Sequence, residues 1–381
     1  MTGDPPMYRF QLTTTLRYGP DSLDELSTLD GRRVLIVTDA FLATTPLFGR
    51  VKEALRGAEV AVFDRVRPNP DTAAVGAGLA AFLEFGPEGI VALGGGSPID
   101  TAKTVRKLAL EQGRDLPAGL TVIPTTSGSG SEVTSFAVVT RADGRKLPLS
   151  SADMLPELAI LDPEAVLTAP PKLTADSGMD AVSHAIEAYV ATGCNDFSDA
   201  LAEKALRLAG EHLPVCFRDG SDAVAREHQH AAACMAGIAF QNAGLGIVHG
   251  LSHSIGSAFP IAHGRLNGIL LPTVINFNAG DLGWRPGDPG PVARRYAALA
   301  RALGLTASGD RNLVRALIGW VERLRNELSM PATVSAAGVA SADFLAAVPD
   351  LAAAARVDFC TAGNPVQPSE AELAGILRQV A

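Results

Sequence analysis

Cysteine, aromatic side chains and positive charge are all scarce in this chain, and each scarcity closes a route. The four cysteines, Cys194, Cys216, Cys234 and Cys360, are far apart and form no CxxC pair, which fits reduced thiols and neither a disulfide framework nor a cysteine metal site. Acidic residues outnumber Lys and Arg by 41 to 32, for a net charge of −9 and a pI near 5.3. Such a surface attracts neither a phosphate backbone nor an acidic lipid, so nucleic-acid and membrane partners are not expected. The opening MTGDPPMYRFQL lacks a basic stretch followed by an apolar run; no secretory leader is expected, and a cytoplasmic location follows. Aromatic residues make up only 5% of the chain, too few for the interfacial belts of a membrane protein.

Charge also vanishes locally. No Asp, Glu, Lys or Arg occurs from His228 to Gly264, although these make up 19% of the whole. Gln241, Asn242 and five histidines interrupt this stretch, and Gly and Pro break its second half. It therefore reads as a buried core helix followed by a site loop, not as a membrane span.

With 381 residues the chain is long enough for two domains with separate cores. RVLIVTD, EVAVFD, GIVALGGG and LTVIPT read as short β-branched strands. PLFGRVKEALRGA, DTAAVGAGLAAFLEFG and PIDTAKTVRKLALEQG read as the helices between them. This alternation predicts a Rossmann-like parallel sheet covered by helices. YRFQLTTTLRYG alternates like an edge strand, open to pairing with a second copy. Beyond residue 166 Ala-rich helical patterns take over. The expected fold is thus α/β plus all-α, with domains 1–166 and 167–381. The boundary falls near LDPEAVLTAPPKL, where the prolines stop a helix and Thr174 or Asp176 can cap the next.

Two polar turns fall at predicted strand ends. In IVALGGGSPIDTAK a strand runs through Gly94, Gly95, Gly96 and Ser97 into a helix opened by Pro98, a turn suited to phosphate because its backbone N–H groups are free and unobstructed. It is neither GxGxxG nor a P-loop, and a ligand-free tight connection is the competing reading. PTTSGSGSEVTS offers Thr125, Thr126 and Ser129 at the same sheet edge, and two such loops together imply a dinucleotide. Asp39, closing the first strand, suits a ribose and repels a 2′-phosphate, which favours NAD over NADP.

Histidine is concentrated where charge is absent. VHGLSHSIGSAFPIAHG holds His249, His253 and His263, while GMDAVSHAIEAY puts Asp180 and His184 four apart on one helical face. One carboxylate and three imidazoles make a site for a divalent cation, Zn²⁺ or Fe²⁺. The spacing does not decide whether His249 or His253 is the ligand. Any one of these histidines alone is as easily a core residue. His228 and His230 in REHQHAAA are expected as solvated helix-start residues, and His212 in GEHLP as a helix-end residue.

Taken in order along the chain, VTD, PNP, GGGSPIDTAK, PTTSGSGSEVTS, LDPEAVLTAPP, GMDAVSHAIEAY, HGLSHSIGSAFPIAHG and a late NP resemble the iron-containing (group III) alcohol dehydrogenase family. DAFLATTPL, LAILDPE and DFSDALAEKA are most similar to its propanediol- and ethanolamine-utilisation members. The resemblance implies the dehydroquinate synthase-like fold of that family, with a metal in the cleft between a nucleotide-binding domain and a helical one. It assigns the metal to Asp180, His184, His249 and His263 and puts His253 beside substrate and nicotinamide. It gives Gly95, Gly96, Ser97 and the neighbouring Asp100 to the pyrophosphate, and Thr125, Thr126 and Ser129 to the cofactor. Asp39 falls to the ribose with Asn69 nearby, and Lys146 to the region of the nicotinamide ribose. Ser129 stands where the family more often has Thr, which keeps the hydroxyl. The implied activity is NAD-linked interconversion of small primary alcohols and aldehydes, with the metal as Lewis acid, in a cytoplasmic homodimer or higher oligomer. A non-redox NAD- and metal-dependent lyase of the dehydroquinate synthase type is the alternative, and a more basic cleft is expected for it. A non-catalytic reading, with a structural metal and an empty turn, predicts no response of NADH fluorescence on titration.

Overall fold

In the computed structural model, which describes residues 9–280 and 290–381, apolar alternation builds a sheet buried on both faces. Six strands are all parallel: β1 (Thr15–Tyr18), β2 (Arg33–Asp39), β3 (Glu59–Val66), β4 (Gly89–Gly94), β5 (Gly119–Pro124) and, after the antiparallel hairpin of β6 (Phe136–Thr140) and β7 (Lys146–Ser150), β8 (Leu158–Leu161). Their order is β1-β8-β5-β4-β2-β3. Val34 and Ile36 of β2 join Val91 and Leu93 of β4 on one face, while Leu35, Val37, Ile90 and Ala92 pack on the other. Period-two alternation with both sets apolar is what a strand covered by helices on each side requires.

Helices α1 (Pro46–Ala54), α2 (Thr72–Phe85) and α3 (Gly96–Glu111) make the crossovers. The Thr45 hydroxyl accepts from Phe48 N to start α1, and the Asp71 carboxylate accepts from Ala74 N to start α2. Because β2 leads to β3 on one side and the chain returns through α2 to β4 on the other, the strand order reverses between β2 and β4. A crevice at the carboxyl ends of strands at such a reversal is the usual ligand position of an open parallel sheet.

From Pro171 the described residues are helical apart from their connections: α4 (Pro171–Val190), α5 (Asp196–Arg218), α6 (Ala223–Ala243), α7 (Ile247–Ala258), α8 (His263–Asn278), α9 (Gly290–Ala302), α10 (Asp310–Glu327), α11 (Ser341–Arg356) and α12 (Glu370–Gln379). Reciprocal Asn195/Ser198 and Ser369/Glu372 capping boxes start α5 and α12. The core of this half runs along α4, where Met179, Val182, Ala185 and Ile186 pack among Leu206, Ala236, Leu251 and Leu270.

Several expectations need correction. Residues 9–13 form no strand; Gln11 instead exchanges backbone hydrogen bonds with the Asn242 side chain, and only Thr15–Tyr18 pairs, along β8. Residues 1–8, read above for a leader, lie outside the described residues. Thr174 and Asp176 lie inside α4, which Pro170 and Pro171 open; α3 starts at Gly96, two residues before Pro98. The segment read as a site loop is helix α7, at 105° to α6. Among the described residues no single helix is long and apolar enough to cross a membrane; the α6–α7 pair passes that test only jointly, and its apolar side chains are core.

Candidate active site

Asp180, His184 and Glu187 occupy successive turns of α4 and face the amino-terminal turn of α7 and the start of α8. His184 Nε2 and His249 Nε2 each lie 3.7 Å from Asp180 Oδ1, and His263 Nε2 lies 3.5 Å from it. Three ring nitrogens from three helices therefore converge on one carboxylate oxygen. Each ring is turned by a partner behind it. His249 Nδ1 lies 2.5 Å from Glu187 Oε2, and a carboxylate only accepts, so Nδ1 carries the proton. His184 Nδ1 donates to the Gly128 carbonyl at 3.2 Å, and Ser252 Oγ lies 2.9 Å from His263 Nδ1. For His184 and His249 an acceptor behind Nδ1 leaves Nε2 for the centre, the orientation that outer partners give metal-binding histidines.

The close approach of α8 to α4 depends on Gly264, where a Cβ would come within 1.8 Å of the Asp176 carbonyl oxygen. Arg265 then clamps Asp176 through two hydrogen bonds of 3.0 Å. Asn267 Nδ2 donates to Asp180 Oδ1 at 2.7 Å and sits 3.3 Å from both His249 Nε2 and His263 Nε2.

Electrostatics favour a cation at this centre. Burial lowers the His184 imidazole to about 4. Burial would do the same to His249, but Glu187 and Asp180 outweigh it and hold that ring up at about 9. Burial also works against the Asp180 anion, yet the surrounding imidazoles keep its carboxyl well below the usual range. Two buried carboxylates thus draw positive charge to these ring nitrogens, and a proton on His249 or a metal ion can supply it. Asp180, His184 and His249 each offer a ligand atom within 4.8 Å of the others. The Asn267 Oδ1 acceptor is buried there without a donor among the described residues. The donor set suits a borderline divalent ion such as Fe²⁺ or Zn²⁺.

Two cavities adjoin this centre. One, of about 430 Å³, is lined by Asn69, Asp100, Lys146, His249, His253 and Phe240 among others. The second, of about 660 Å³, runs past Asp39, Gly95, Thr125 and Thr126. Gly96, Ser97, Ser129, Asp180 and His263 border both. Every residue singled out above as a ligand, cofactor contact or proton carrier therefore lies on one trench. Gly94, just before the turn into α3, must be glycine: φ of +155° and a Pro98 ring atom 2.4 Å from any Cβ exclude a side chain. Asp39 Oδ1 accepts from Phe41 N and Leu42 N at 2.9 Å, leaving Oδ2 for a ligand. Asn69, in the left-handed region at φ 56°, takes a 2.5 Å hydrogen bond from Lys146 Nζ.

Asp100 is already committed, since Ser131 Oγ donates to Oδ1 at 2.7 Å and Val138 N to Oδ2 at 2.8 Å. It positions the second loop. Lys103, fully buried, shares the task by donating to Ser131 Oγ, Thr134 Oγ1 and the Phe136 carbonyl. Burial pushes its ammonium down to about 8, despite Asp100 and Glu132 nearby.

Three histidine expectations change. His230 is not solvated: it is 2% exposed with Nδ1 3.0 Å from Ser127 Oγ. His212 lies within α5, not at its end, and stacks on the half-buried His228 with centroids 4.4 Å apart. Residues that the sequence reading passed over include Glu187 and Asn267, which stand at helical spacing from His184 and His263. Asp358 was also passed over; its Oδ2 lies 3.0 Å from His253 Nδ1, across 105 residues with no local signal.

Family profiles then match in two pieces, iron-containing alcohol dehydrogenase over residues 13–163 and the Fe-containing alcohol dehydrogenase C-terminal region over 174–381. The chain belongs to the iron-containing alcohol dehydrogenase family. It is 41% identical to a bifunctional aldehyde-alcohol dehydrogenase of Escherichia coli over 94% of its own length, but spans only 44% of that protein. It is 38% identical to a 1-propanol dehydrogenase of Salmonella typhimurium, covering 96% of this chain and 97% of the relative. A solved 1,3-propanediol oxidoreductase superposes with a TM-score of 0.89 at 31% identity, covering 99% of this chain and all of that one. In this family the fold is an α/β sheet domain joined to a helical one, as described above.

Proposed function

We propose that this iron-containing alcohol dehydrogenase family member is an NAD-dependent, metal-dependent alcohol dehydrogenase and aldehyde reductase acting on small primary alcohols and aldehydes. The observation that carries this reading is the convergence of three Nε2 atoms on Asp180 Oδ1 at the junction of two cavities. On this reading Asp180, His184, His249 and His263 hold the metal, and residues 1–166 and 167–381 act as nucleotide and metal domains. A divalent cation bound there, Fe²⁺ or Zn²⁺, supplies Lewis acidity toward the alcohol or aldehyde oxygen, and NAD supplies the hydride acceptor at nicotinamide C4.

The chain's own residues do the rest. Gly95, Gly96 and Ser97 open α3 with unobstructed N–H groups, the natural seat of a diphosphate. Thr125, Thr126 and Ser129 face it from the neighbouring loop, and Asp39 Oδ2 accepts from a ribose hydroxyl and repels a 2′-phosphate. Lys146, held by Asn69, bonds the second ribose. Phe240, tilted at 32° against His184 with centroids 4.5 Å apart, joins Leu245 and Ile261 in keeping water from the reacting carbon. His253 carries the exchanged proton at Nε2, because Asp358 fixes the proton on Nδ1. Around the histidines the cavity is lined by one lysine, Lys146, and no arginine, which does not favour a lyase with a phosphorylated substrate.

This reading also assigns the enzyme to the cytoplasm, which agrees with four unpaired thiols, and to a homodimer or higher oligomer. β1 is an open sheet edge with Tyr18 73% exposed, which a second copy would cover. The test is elemental analysis of anaerobically purified protein joined to NADH-linked assays over a series of aldehydes. Activity should track one equivalent of metal, vanish on chelation and return with Fe²⁺; full turnover in metal-free protein would overturn the proposal.

A further inference from the structure

One group of donors in the trench takes no part in the centre just described. His253, Asp358 and Cys360 each present a ligand atom, and these lie within 4.8 Å of one another. They are brought together from the middle of α7 and from the turn that follows α11. Asp358 is the hub: Oδ2 lies 3.0 Å from His253 Nδ1, and Oδ1 accepts from Cys360 N at 2.9 Å. Cys360 is 2% exposed in a turn that Asp358 caps, which keeps the thiol beside its neighbours and out of bulk solvent. His253 and Cys360 nevertheless both border the 430 Å³ cavity, so an ion entering there reaches them.

We propose that His253 Nδ1, Asp358 Oδ2 and Cys360 Sγ form a second, inhibitory metal site for zinc-like divalent cations, with its fourth position open to the cavity. Ligand atoms around four-coordinate zinc stand roughly 3.5 Å apart, given bonds of about 2.0–2.3 Å. The nitrogen and oxygen, 3.0 Å apart, need to open by roughly 0.5 Å, and the sulfur, within 4.8 Å of both, needs to close by roughly 1.3 Å at most. The three protein ligands are neutral nitrogen, carboxylate and thiolate; the thiol proton passes to buffer and the His253 proton moves from Nδ1 to Nε2 as the bonds form. Sulfur separates the two sites chemically. The Asp/His centre has none and suits Fe²⁺ or Zn²⁺, whereas a thiolate shifts preference away from Fe²⁺ toward Zn²⁺ and above all the softer Cd²⁺. Occupancy removes Nδ1–H from His253 and ties the ring down. The inhibition, though not the binding, rests on the proton-carrying part given to His253 above.

The experiment titrates Cd²⁺ into iron-loaded full-length protein, following thiolate-to-Cd²⁺ absorbance, retained iron and turnover. One further equivalent should bind with a new ultraviolet band, the iron should stay, turnover should fall about ten-fold or more, and Zn²⁺ should compete the band away. Cys360→Ser should abolish the band, and Asp358→Asn, which keeps the thiol, should weaken binding about ten-fold or more. No band in the unaltered protein, a band surviving in Cys360→Ser, or a midpoint unmoved by Asp358→Asn would each overturn the site. A saturable band that leaves turnover intact would keep the site and sink the role given to His253.

Discussion

Replacing Glu187 by Gln separates positioning from ligation, because Glu187 touches His249 on the side away from the proposed metal. The carboxylate is 4% exposed, with Oε1 accepting from Val248 N at 2.7 Å and Oε2 lying 2.5 Å from His249 Nδ1. Gln keeps the shape but has only one acceptor. If its oxygen stays with Val248 N, its amide N–H confronts Nδ1–H; the ring escapes only by moving its proton to Nε2, which then cannot ligate. If the oxygen turns to His249, Val248 N–H is left buried without an acceptor. Either outcome costs about 1–3 kcal/mol, the usual penalty of one unsatisfied buried group. Each 1.4 kcal/mol is a factor of ten, so affinity for Fe²⁺ or Zn²⁺ should fall roughly 10–100-fold. Competition with a chromophoric chelator reads this directly, without any turnover. Gln at 187 binding metal within two-fold of the unaltered protein would refute the orienting role and the tautomer argued for His249.

Three further substitutions probe other parts of the site. Gly264→Ala places a methyl 1.8 Å from the Asp176 carbonyl oxygen, so α8 must shift with His263; stability should drop by about 1–3 kcal/mol in thermal unfolding and metal binding should weaken with it. His253→Ala should lower turnover about 100-fold while elemental analysis still finds one equivalent of metal, and loss of the metal would return His253 to the ligand set. Lys103→Met tests a buried cation by pH: the unfolded lysine keeps its proton to 10.5 and the folded one releases it near 8. Between those values the unfolded state binds more protons, so stability relative to the Met variant should rise with pH by about 3 kcal/mol, and the full penalty should hold below pH 8. A pH-independent difference would contradict it.

What was legible in the sequence follows from where each signal resides. β2, β4 and β5 are buried on both faces, so their apolar runs stand out between helices, and the turns that follow them carry Gly and hydroxyl residues. β8 escaped because its LAIL is four residues long and follows a hairpin of half-buried strands. α7 was mistaken for a loop because its glycines were read as turn residues. Gly250 is there for packing instead, since a Cβ would meet Thr361 Oγ1 at 2.3 Å. His230 was misread for a related reason: charged neighbours at Arg226 and Glu227 implied solvent, but Arg226 is itself 2% exposed, bonded to Gly220 O, Thr174 Oγ1 and Ala169 O. Asp358 had no local signal at all, because its partner is on another helix.

The charge-free stretch from His228 to Gly264 has a physical reason once the centre is assembled. Asp180 and Glu187, seven residues apart on α4, are both buried, and burying two anions is costly unless something positive answers them. Among the described residues the ion-pair partners of Asp180 and Glu187 are all imidazoles, and the nearby Arg265 is already engaged by Asp176. A lysine or arginine aimed between the two carboxylates from α7 or α8 would neutralise both permanently and fill the space between them. Imidazoles meet that demand reversibly: His249 can answer it with a proton or give the proton up and offer a lone pair to a metal ion. The absence of fixed positive charge is thus the same feature as the abundance of histidine, and on the proposed reading it leaves the centre to a small cation with coordination positions to spare for a substrate oxygen.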